Sequence, residues 1–104
     1  MHAHSLFSSL TVIGLMLVGL NAQAANGSEV YNQTCAMCHA AGLANAPRFG
    51  NKEDWAPRIA NGKAALLKSA LNGKNAMPAR GGNPKLSDDE VSAAVDFMVA
   101  SASK

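Results

Sequence analysis

Cys35-Ala36-Met37-Cys38-His39 is the stretch that decides how this chain reads. Two thiols three positions apart can each add across one vinyl group of a single haem. The imidazole that follows is then carried to the iron as its proximal ligand. The chain has only these two cysteines, so nothing else competes for them. Two other chemistries use such a pair. A thioredoxin-like redox pair sits between a strand and a helix, and no strand-rich pattern surrounds this one. A structural zinc site takes four ligands, whereas two Cys and one His lie within reach here.

The segment upstream has the character of an address. Leu6 to Leu20 is apolar except for Ser, Thr and Gly, and Ala22-Gln23-Ala24 supplies the small-x-small pattern of a cleavage site. Its amino-terminal end carries His2 and His4 in place of the usual Lys or Arg. The apolar run is shorter than the ~20 residues a bilayer-spanning helix needs. The expectation is therefore a cleaved signal peptide over 1–24, one domain over 25–104, and a periplasmic location. A domain of that size buries a modest core and commonly relies on a staple, a role that a covalently bound haem would fill. Removal of His2 and His4 leaves His39 as the only histidine, so a second histidine ligand from the same chain is excluded. Nine Lys plus Arg against seven Asp plus Glu is too weak an excess to indicate nucleic acid or an anionic membrane surface.

Four helical segments and no convincing strand follow in 25–104, an all-α pattern. The first is expected from about Ser28 to Cys38, with Asn26 or Ser28 as N-cap, and it delivers the cysteine pair at its C-terminal end. A loop marked by Gly42, Asn45, Pro47 and Gly50 comes next. The second helix covers roughly Lys52 to Ala60, capped by Asn51 and limited by Pro57. The third covers about Lys63 to Asn72 and stops at Gly73. The fourth begins at a capping box of Ser87 and Glu90, with Leu86 placed to staple onto Val91. Val91, Ala94, Val95, Met98 and Val99 then recur at helical spacing, and Ser101 to Lys104 are expected to fray.

Gly73 to Pro84 contains three glycines and two prolines, which excludes regular structure and leaves Met77 in a loop. A haem iron with one histidine takes a second ligand on its other face or stays open to small molecules. The candidates are Met37, Met77, Met98 and the lysines. Met37 lies between the attachment cysteines on the proximal side, and Met98 belongs to the apolar stripe of the last helix. Met77 serves no helical pattern, and Pro78 restricts the backbone beside it. His39 and Met77 are thus the expected axial pair. A thioether favours ferrous iron and raises the reduction potential, and two filled axial positions disfavour oxygen or peroxide. Those are properties of an electron carrier.

The chain resembles the class I c-type cytochromes, and among them the small bacterial cytochrome c5 group. The order of helix, Cys-x-x-Cys-His, proline loop, two short helices, methionine loop and terminal helix carries the likeness. Asn75-Ala76-Met77-Pro78-Ala79-Arg80-Gly81-Gly82 is similar to that group's ligand loop. The resemblance implies a cytochrome c fold, about four short helices around one covalently attached haem c, with the N- and C-terminal helices crossing. Gly27 and Tyr31 match the family's Gly-x-x-x-aromatic pattern at that crossing, with Phe97 as the implied partner. It further implies that the Pro47 carbonyl accepts a hydrogen bond from the ring of His39, fixing its orientation. Some members of the cytochrome c5 group carry a second cysteine pair, which this chain lacks.

Trp55 has two readings, an indole that donates to a haem propionate, as in relatives, or core packing against the haem. Arg58 and Arg80 are further propionate candidates. Lys52, Lys63, Lys68, Lys74 and Lys85 either ring an exposed haem edge or are scattered solubilising charges. The expected function is single-electron shuttling between redox-protein donors and acceptors of a respiratory chain, membrane complexes included. Docking would be brief, by a monomer, with no catalytic residues. Two alternatives stay open: a haem sensor or haem-enzyme subunit with a displaceable Met77, and a haem-free thiol or metal carrier using Cys35 and Cys38.

Overall fold

Asn26 opens the first helix, its side chain accepting a hydrogen bond from the Glu29 amide at 3.2 Å. The structure, a computed structural model, describes Gly14 and residues 25–104. Apart from Gly14, the expected signal segment and its cleavage point lie outside the described residues. From Asn26 a helical rod runs to His39, one residue further at each end than expected. It consists of α1 (Gly27–Val30), a π-helical turn (Tyr31–Cys35) and α2 (Ala36–His39). In the π turn the Ala36 amide reaches back five residues to the Tyr31 carbonyl, an extra residue that nothing in the apolar spacing announced.

After a short 3₁₀ turn (Leu43–Asn45), α3 (Lys52–Ile59) starts at Asn51, whose side chain accepts from the Asp54 amide at 2.9 Å. α4 (Lys63–Asn72) has the bounds the sequence indicated and ends at Gly73, whose φ of 85° only glycine adopts without cost. α5 (Asp88–Ala102) opens on the full capping box: Ser87 accepts from the Glu90 amide, and Glu90 accepts from the Ser87 amide. Among the described residues the only strand-like feature is one antiparallel bridge, Lys74 with Met77.

The rod crosses α5 so closely at Gly27 that any Cβ there would overlap the Ala93 carbonyl and approach Phe97 Cβ to 3.2 Å. Beside the crossing, three rings make a cluster. Tyr31 lies 4.7 Å from Phe49 and 5.5 Å from Phe97, and Phe49 lies 5.1 Å from Phe97. Each such pair adds about 0.5–1.5 kcal/mol beyond the area it buries. Tyr31, Trp55, Met98 and Ala102 form the buried core. The last turn of α5 does not fray as expected. Ser101 Oγ donates to the Met98 carbonyl at 2.6 Å and accepts from the Gly50 amide at 3.0 Å, and Ala102 is only 3% exposed.

Candidate haem site

His39 ends the rod and is the only buried polar side chain among the described residues, 7% exposed. Its Nδ1 lies 2.9 Å from the Pro47 carbonyl oxygen. A carbonyl only accepts, so Nδ1 carries the proton and Nε2 keeps its lone pair for a metal. The loop that supplies Pro47 is folded back by two backbone bonds, Gly42 amide to Cys38 carbonyl (3.0 Å) and Phe49 amide to His39 carbonyl (2.7 Å). Left-handed residues at Gly42, Ala44 and Asn45 turn the chain between them. Trp55, 4% exposed, stacks on the imidazole with centroids 5.9 Å apart and planes 22° from parallel. Its Nε1 donates to the Arg48 carbonyl at 2.9 Å. The sequence offered a propionate or core packing for this residue. The structure has it packed, with its one polar atom bonded to backbone.

Cys35 and Cys38 are free thiols, both half-buried. Cys35 packs against the core, and burial raises its pKa. Burial also raises the Tyr31 hydroxyl, with a further contribution from Cys35. Met37, between the thiols, points away and is 81% exposed. Met98 is in the core. That leaves Met77, half-buried, in the tight turn closed by Lys74 amide to Met77 carbonyl and Met77 amide to Lys74 carbonyl, both 2.9 Å. Asn75 at φ 53° makes this turn possible. The 3₁₀ turn that follows, Ala79–Gly82, packs on α4 and on the π turn. Arg80 anchors it by donating to the Leu86 carbonyl (2.9 Å) and to Asp88 Oδ1 (2.6 Å).

The other charged candidates are engaged elsewhere. Arg58 donates to the carbonyls of Asp54 (2.6 Å) and Asn45 (3.4 Å). Arg48, which the sequence reading passed over, clasps Asp54 with Nε 2.8 Å and Nη2 3.2 Å from its two oxygens. The hydrogen bond from Arg48 lowers the Asp54 pKa, and the same bond raises that of Arg48. These groups rim an open cavity of about 420 Å³ behind Pro47. Lys63, one of the lysines that the sequence left as either haem-edge or scattered charges, pairs with Asp96 at 2.7 Å on the surface. Trp55 and Arg48 were missed as partners because an indole-to-carbonyl bond across a loop leaves no spacing in the sequence.

The donor set fits a covalently held haem: two unpaired thiols, an adjacent buried imidazole with Nε2 free, and a thioether fixed in a turn. Among the described residues no three His, Cys, Asp or Glu side chains gather as they would around a bare metal ion. Comparison with known proteins agrees. The family model described as cytochrome C oxidase, cbb3-type, subunit III matches residues 22–98. Cytochrome c-555 of Chlorobaculum thiosulfatiphilum is 46% identical over 80 residues, which is 73% of this chain and 93% of that protein. Cytochrome c5 of Azotobacter vinelandii is 40% identical over 77 residues, 72% of this chain and 93% of that protein. Among solved structures, a chain from the electron transfer complex of nitrite reductase with cytochrome c superposes with a TM-score of 0.71 at 45% identity. It covers 74% of this chain and 94% of that one.

The chain belongs to the class I c-type cytochromes, small monohaem electron carriers with the cytochrome c fold and one covalently attached haem c. Among the described residues no helix is long and apolar enough to cross a membrane.

Proposed function

We propose that this protein is a periplasmic electron shuttle, exported by a signal peptide over 1–24. In this reading Cys35 and Cys38 form the thioether bonds, and His39 and Met77 are the axial ligands. The observation that carries it is the His39 imidazole, buried and already donating from Nδ1 to the Pro47 carbonyl. That bond fixes the ring's rotation and leaves the lone pair of Nε2 for the metal, as a metal-bound histidine requires. When bound, haem c supplies an iron that takes up and gives up one electron. The residues of the chain hold and tune that centre. Trp55 keeps one face of the imidazole dry, Pro47 orients it, and the Lys74–Met77 turn presents a sulfur donor suited to both oxidation states. Outer-sphere transfer asks for no acid–base residue, so the protein acts as a carrier and not an enzyme.

Its partners are redox proteins met in brief encounters. The similarity to a cytochrome in a complex with nitrite reductase, and to a family described by an oxidase subunit, supports reductases or oxidases as acceptors. Optical spectra of the exported protein, oxidised and reduced, with and without carbon monoxide, test the reading. A far-red sulfur-to-iron band and no response to the gas are expected. Met77→Ala should keep haem attached, lose that band and bind carbon monoxide. If Met77→Ala retains both the wild-type band and inertness to the gas, the axial assignment is wrong. If the wild-type protein itself binds the gas, the sensor or enzyme class replaces the carrier.

A further inference from the structure

In an uninterrupted α-helix each residue turns by about 100°, which would set His39 about 120° away from the direction of Gly27, and Met37 about 80° away. Gly27 marks the face that meets α5. The one extra residue of the π turn rotates everything after it back by one step, to about 20° for His39 and about 180° for Met37. The burial agrees: His39 is 7% exposed and Met37 is 81% exposed. The same turn makes a second contact. A Cβ on Gly81 would come to 2.5 Å from Thr34 Cγ2 and 3.6 Å from the Thr34 carbonyl oxygen, so Thr34 in the π turn rests directly on the loop beyond Met77.

We infer that the π-helical turn Tyr31–Cys35 is the joint that sets the two halves of the site against each other. It turns His39 inward, and it lays Thr34 on Gly81 so that the methionine-bearing segment docks on the histidine-bearing rod. Thr34 and Gly81 are positioning residues: neither is a ligand, and both act through Met77. This rests on the axial pair proposed above. Gly81 has no room for a side chain, whereas its neighbour Gly82 does. Both have left-handed backbones, φ 62° and 84°, but the nearest atom to a Cβ on Gly82 is Pro78 Cγ at 3.7 Å. The two glycines therefore separate the contact from the cost of the backbone conformation.

The test is imidazole binding to the ferric holoprotein, followed through the far-red sulfur-to-iron band. Apparent affinity scales with the fraction of molecules in which the methionine has let go, so Gly81→Ala should tighten imidazole binding about tenfold and Gly82→Ala less than about threefold. Thr34→Ser removes Cγ2, and combined with Gly81→Ala it should return the affinity to the Gly82→Ala level. Failure of Gly81→Ala to retain the band, with Gly82→Ala and the double variant retaining it, supports the inference equally. Equal behaviour of the two glycine variants, both harmless or both damaged, overturns it. So does a double variant with no recovery. A wild-type protein without the band overturns the axial pair instead.

Discussion

The histidine side and the methionine side of this site are built by opposite means. His39 stands at the end of a rod clamped to α5 at Gly27 and flanked by the Tyr31, Phe49 and Phe97 rings. It is stacked on Trp55 and bonded to Pro47. Met77 has no hydrophobic clamp of that kind. Two hydrogen bonds close its turn, Arg80 ties the next turn to Asp88 of α5, and left-handed residues at Gly73, Asn75, Arg80, Gly81 and Gly82 bend the backbone. Apolar packing, which is cooperative with the whole fold, holds the proposed histidine ligand, while hydrogen-bonded turns and the Thr34–Gly81 contact hold the proposed methionine ligand. Damage to the first side should therefore unfold the protein, and damage to the second should release the sulfur and leave the fold standing.

The largest effect should come from breaking the crossing. Gly27→Val drives a branched side chain into the Ala93 carbonyl and should cost about 3 kcal/mol or fail to fold, as overpacking at a closed contact does. Thermal unfolding of the holoprotein measures it, and an unchanged midpoint would mean the crossing is looser than described.

A smaller effect is expected from Arg80→Ala on the methionine side. Removing a partly exposed ion pair and one carbonyl bond should lower stability by only about 1 kcal/mol. Imidazole binding should strengthen at the same time. A large drop in melting temperature with unchanged imidazole affinity would reverse the contrast between the two sides.

The smallest effect is a pH dependence. Arg48 depresses the Asp54 pKa in the folded state, so the unfolded chain takes up this proton first as pH falls. The clasp's contribution is complete above the ordinary carboxylate pKa. It is lost as pH drops from there through the lowered folded value. Asp54→Asn should flatten that acid limb of stability and leave the neutral region almost unchanged. An unaltered limb would show that the clasp is energetically silent.

Much of this was legible in the residues. The attachment motif, the bounds of α4 and the capping box of α5 rest on local chemistry: a thiol spacing, a glycine stop, a Ser–Glu pair three apart. The family likeness brought Gly27, Tyr31 and Phe97 together, and the structure has them in contact. It also implied the hydrogen bond between His39 and Pro47, which is present at 2.9 Å. Ser101 and Ala102 went the other way. A polar, small-residue tail reads as frayed, but the Gly50 amide 51 positions away supplies the bond that anchors it.

The sequence by itself determined the Cys35–Cys38–His39 attachment motif and most of the helical elements, because caps, stops and covalent attachment depend on residues a few positions apart. Tertiary structure alone decided how those elements are phased. The π turn and the seat of Thr34 on Gly81 exist only when distant segments meet. No periodicity encodes an extra residue in a turn. It is stable because packing on both sides of it, against α5 and against the methionine loop, fixes the rotation between them.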